Sequence, residues 1–124
     1  MNDKKNILII LLLISSFCFS QSLDRKTISK KHEINRSIEP EMRGIEVANI
    51  IYYIENDLQT LKAYENGKVK WETNIIKILG NPKIGKPEIR VLTFNNLTIT
   101  ISYGKHDFAV VSIETGVIKF HGAD

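Results

Sequence analysis

From Ile45 to the C-terminus, apolar and polar side chains alternate, and a turn-forming cluster interrupts them about every ten residues. A period of two fits a pleated strand and no helix, so this part of the chain is predicted to be β-structure. Ile45–Ile54 is rich in β-branched and aromatic residues and reads as one strand, closed by Glu55-Asn56-Asp57. Leu58–Tyr64 continues, with Leu61 and Ala63 on one face and Lys62 and Tyr64 on the other. Asn66-Gly67 then predicts a type I′ hairpin, because that turn needs positive φ at both central residues. The return strand carries Val69, Trp71 and Thr73 in alternation with Lys70 and Glu72, and is drawn as far as Leu79.

Residues 80–87 hold two of the three prolines and read as a loop. Beyond it, Ile89, Val91 and Thr93 alternate with Arg90, Leu92 and Phe94, and Asn95-Asn96 is a candidate turn. Leu97–Tyr103, Phe108–Ile113 and Val117–Phe120 complete the set, separated by turns at residues 104–107 and 114–116. The expectation is an all-β domain, an antiparallel meander of about seven strands.

The first twenty residues follow a different logic. Lys4 and Lys5 precede the apolar run Ile7–Ile14, and small residues at Cys18 and Ser20 fit a peptidase site. This is the pattern of a secretory signal peptide, cut between Ser20 and Gln21. The run is short for a spanning helix, so contact with a membrane is expected only if the leader stays uncleaved. The destination is then the periplasm or the extracellular space. The only cysteine, Cys18, leaves with the leader, so the 104 remaining residues have no disulfide and no thiol. A small exported domain without staples has a thin margin of stability, which self-assembly or a partner would relieve. The formal net charge of +3 falls to +2 when Asp3, Lys4 and Lys5 are removed, which gives no case for nucleic acid.

Residues 21–44 are polar, mixed in charge and sparse in apolar residues. They are expected to form a flexible arm or linker, or else a short amphipathic helix over Thr27–Ile38, ahead of a β domain at 45–124.

An internal repeat organises that domain. Ile50–Trp71 aligns without a gap on Ile99–Phe120, 49 residues later, with Glu65, Gly67, Lys70 and Trp71 falling on Glu114, Gly116, Lys119 and Phe120. The stretches Lys62–Trp71 and Val111–Phe120 resemble the repeat of PQQ-type β-propellers, in which a strand is followed by Thr-Gly-Lys and a Trp. The resemblance covers about two blade-like units, from Ile45 to the C-terminus, where a closed propeller has four to eight, and it leaves open whether the two units share one sheet or form two. The second copy has Phe120 where the family has Trp. No cofactor is expected here.

Chemistry-bearing motifs are sparse. His32, His106 and His121 lack the spacing of a zinc site. Asp57 and Asp107 fall in equivalent turns, where an aspartate accepts from backbone donors. Ser102 and Ser112 have no nucleophile-elbow context. The expectation is therefore a non-enzymatic module that binds a protein partner through a sheet edge or face, in the manner of an inhibitor or immunity protein. The alternative is a carbohydrate-binding module that offers Tyr52, Tyr53, Tyr64 and Tyr103 to a glycan. Trp71 and Phe120 are expected as equivalent core plugs.

Overall fold

The structure is a computed structural model and describes residues 23–124. The leader and its cleavage site lie outside the described residues. The chain is all-β: ten strands form two five-stranded sheets packed around one core. In chain order the strands are β1 (Ile28–Ser29), β2 (Glu33–Asn35), β3 (Gly44–Val47), β4 (Ile50–Ile54), β5 (Thr60–Glu65) and β6 (Lys68–Asn74). A helix, α1 (Ile75–Leu79), leads to β7 (Ile89–Asn95), β8 (Thr98–Tyr103), β9 (Asp107–Ser112) and β10 (Ile118–Ala123).

Each sheet is a four-strand antiparallel meander with one added edge strand. The first sheet runs β1-β3-β4-β5-β6, with β1 parallel to β3; the second runs β10-β9-β8-β7-β2. The 49-residue offset carries β4, β5 and β6 onto β8, β9 and β10 within two residues at each end, and the two copies occupy different sheets.

Three differences from the expected seven strands have local causes. Ile45–Ile54 breaks at Ala48 and Asn49, which take positive φ of 50° and 67° and make a two-residue hairpin. Ala48 has no intrinsic taste for that conformation, so the pair does not advertise a turn. The return strand stops at Asn74 instead of Leu79. The Asn74 side chain accepts from the Lys77 N–H at 2.9 Å and caps α1, turning Ile75 into the core. The third difference concerns residues 23–44, the described part of the polar segment. It forms neither an amphipathic helix nor an arm clear of the sheets, because β1 and β2 pair with β3 and β7 and give each sheet an edge strand.

The core follows the period of two. Ile45, Tyr52, Ile54, Leu61 and Ala63 from the first sheet meet Leu92, Ile99, Ile101, Tyr103 and Val111 from the second. Each large apolar side chain buried this way contributes about 1.5–3 kcal/mol. One register shift reorients a strand: the bulge at Arg90 lets both Ile89 and Leu92 reach the core, although they are three residues apart.

The sheets are fastened together along one rim. Trp71 of β6 is buried, and its Nε1–H donates to the Ile113 carbonyl at 2.7 Å. Thr73 donates to the Gly116 carbonyl at 2.5 Å. Gly116 has φ of 76°, and a Cβ there would stand 2.6 Å from the indole, so the turn before β10 admits only glycine.

Candidate functional site

The four candidate tyrosines do not form a binding platform. Tyr52, Tyr53, Tyr64 and Tyr103 are only 1, 5, 4 and 2% exposed. Tyr52 packs in the core beside Trp71 and Phe94, with ring centroids 6.1 and 6.2 Å away. Burial, and then the charge of Glu65, push its phenol pKa up; burial, and then Asp107, do the same for Tyr103. Tyr53 faces the opposite way, as the alternation requires, yet it is also covered. It joins Ile51 and Tyr64 in a second cluster on the outer face of the first sheet, beneath Leu23 and Ile28. The Tyr53 hydroxyl lies 3.2 Å from that of Thr27, and the Arg43 guanidinium sits 5.5 Å from its ring centroid. Tyr64 donates to Glu55 at 2.5 Å. The core therefore takes Tyr52 and Tyr103, and the polar segment covers Tyr53 and Tyr64, the rings that the alternative reading needed in solvent.

Tyr64 borders a hollow of about 500 Å³ also lined by Arg25, Glu46, Asn49 and Asn66. Arg25 and Glu46 pair within it at 3.3 Å. Beside it, Lys62 bridges Glu55 at 3.2 Å and Glu72 at 3.5 Å. Burial opposes the Lys62 charge, but the two carboxylates more than offset this and raise its pKa. The outer face of the first sheet is thus covered by its own chain and laced with ion pairs.

Among the described residues, no three His, Cys, Asp or Glu side chains converge to hold a metal ion, and no helix is long and apolar enough to cross a membrane. Asp57 takes the expected turn role. It accepts from the N–H groups of Gln59 and Thr60, each at 2.9 Å, and from the Thr60 hydroxyl at 2.7 Å. Burial pushes its pKa up, but these donors and Arg43 outweigh burial and hold it below the ordinary value. Asp107 differs, for it is the first residue of β9 and pairs with Tyr103.

Two surfaces have no cover among the described residues. One is the rim built by β6, α1 and β10. Trp71 is buried there, but Phe120 is 54% exposed, so the two are not equivalent plugs. Val69 of β6, Ile78 of α1 and Val117 just before β10 are also more than half exposed. Four of the seven large exposed apolar residues thus fall on this rim. The other surface is the outer face of the second sheet. Cross-strand rows run Glu33–Thr93–Thr100–Val110–Lys119 and Asn35–Val91–Ser102–Phe108–Gly122. Their interior positions are uncharged. Neither surface was named in the sequence beyond a general sheet edge or face. The rows depend on registers that the Arg90 bulge sets, and the rim depends on α1, whose residues continue the strand pattern in the sequence.

Scans against protein-family models, curated proteins and solved structures find no match to this chain.

Proposed function

We propose that this chain is an exported, non-enzymatic protein-interaction module that takes an extended segment of a partner along strand β10. One observation carries the reading: β10 is an edge strand with a large apolar side chain, Phe120, 54% exposed on it. The Ser112 N–H donates to the Val117 carbonyl at 2.9 Å, so Val117 and Lys119 turn their backbone groups toward β9. By antiparallel alternation, Ile118 and Phe120 turn theirs outward. That is the arrangement strand addition uses, with main-chain hydrogen bonds for affinity and a side-chain anchor for selectivity. The bulge after Phe120 ends the regular edge and keeps the docking segment short. The neighbouring edge, β6, carries Lys68, Lys70 and Glu72, charges that discourage pairing.

The test is site-specific photo-cross-linking in the cells that make the protein. A photoreactive phenylalanine at position 120 is expected to trap a protein partner, and one at Leu97, 72% exposed in the β7–β8 turn, is not. With the photoreactive residue moved to Val117, 58% exposed, Phe120→Pro removes an outward N–H without touching the β9 ladder and is expected to cut capture by at least about tenfold. Equal labelling at both positions, or no protein adduct from position 120, would overturn the reading.

A further inference from the structure

A second and independent surface carries a different kind of partner. We infer that the outer face of the second sheet is a self-association face, which docks on the same face of a second copy about a two-fold axis parallel to β8. The observation behind it is the row Glu33–Thr93–Thr100–Val110–Lys119, which crosses the five strands with an anion at one end and a cation at the other. Ile34 and Ile118 beside them are buried in the core, so Glu33 and Lys119 point outward. Both are exposed, and neither forms an ion pair among the described residues.

The interior of the face has the composition of a contact surface. Thr93, Thr100 and Val110 in this row, and Val91 and Phe108 in the next, are half-buried and uncharged. A centre depleted of charge, with charged groups kept to its margin, is how protein interfaces are built. The sister sheet shows what such a face does when cover is at hand: its own chain lays Leu23 and Ile28 over Ile51, Tyr53 and Tyr64.

The charges decide between the two ways that identical sheets can meet face to face with aligned strands. A two-fold axis along the row sets Glu33 against Glu33 of the second copy, and Lys119 against Lys119. An axis along the strands reverses the row, so that each Glu33 meets a Lys119 roughly 19 Å from the opposite charge of its own copy, four strand spacings away. Only the second arrangement forms two ion pairs around a closed centre. A face of this size covers about 400 Å² per copy, below the roughly 800 Å² per partner of a standard interface, so the dimer depends on concentration.

Sedimentation of the purified protein from micromolar to millimolar concentration, at low salt, tests the inference. The expected result is a monomer–dimer equilibrium that weakens as salt is added. Glu33→Lys alone and Lys119→Glu alone are each expected to weaken it by at least about fivefold, because each sets like charges together. The two substitutions combined are expected to restore it to within about threefold, because the reversed pairs match again. Circular dichroism of each variant shows that it is folded. A monomer at every concentration overturns the inference, as does a dimer that the double variant fails to recover. So does a dimer abolished by Phe120→Ala, which would place the contact on the β10 rim. Loss of the cross-linked partner at position 120 leaves the equilibrium unchanged, so the two surfaces are tested separately.

Discussion

The two sheets share a core and nearly the same strand positions, yet their outer faces have opposite fates. On the first, Ile51, Tyr53 and Tyr64 lie under Leu23 and Ile28, and the charges around them pair with one another. On the second, threonines and valines lie open between Glu33 and Lys119, neither of them ion-paired among the described residues. One length of polar chain accounts for the difference. Residues 23–35 cross the first sheet, pair with β3, and reach the second only at its edge. Apolar residues are retained where the chain provides a cover. Where it provides none, threonine, serine and valine take most of the positions, with Phe108 among them.

Substitutions can break this comparison. The largest effect is expected from Tyr53→Ala, which empties a covered site and should cost about 3 kcal/mol in urea unfolding. Val110→Ala on the open face should cost less than about 1 kcal/mol in the same assay. Comparable losses would mean that the two faces are equally covered. Ile28→Ser leaves the rings in place and thins their cover. It should cost about 1 kcal/mol and speed amide exchange along β4 and β5, with β8 and β9 unaffected.

Thr93→Val and Thr100→Val should each move monomer stability by no more than about 0.5 kcal/mol. A larger loss would mean that these hydroxyls hold the fold.

The smallest effect concerns acid. The Asp57 pKa is depressed in the folded chain, so its contribution is fully present above the unfolded value of 3.8 and is lost as pH falls through the lower folded value. Below about pH 4, amide exchange at Gln59 and Thr60 should quicken, and Asp57→Asn should remove that dependence.

Much of this architecture is legible in the residues, and the gaps have physical causes. Asn66-Gly67 announces its hairpin because each residue accepts positive φ, and the structure has 54° and 76° there. Leu61 and Ala63 announce their burial by alternation, and both are wholly buried. Ala48-Asn49 turns without a signal, since its conformation is imposed by β3 pairing with β4. The second turn forms one residue later than Asn95-Asn96 suggests, because Asn95 stays in β7 opposite Thr98 and leaves Asn96 and Leu97 as the loop. The tyrosines misled for a related reason. Alternation says which way a ring faces, but only the path of residues 23–35 says whether anything lies over it. The polarity of that segment disguised the cover, since Leu23 and Ile28 are isolated among charged neighbours.

Trp71 is the sole tryptophan of the chain, and its indole hydrogen is held by a carbonyl of the opposite sheet. Tryptophan fluorescence therefore has one emitter, placed at the seam. Its wavelength should red-shift when the layers part, even while each ribbon keeps its own ladder, so the molecule carries an optical gauge of sandwich closure that needs no added dye.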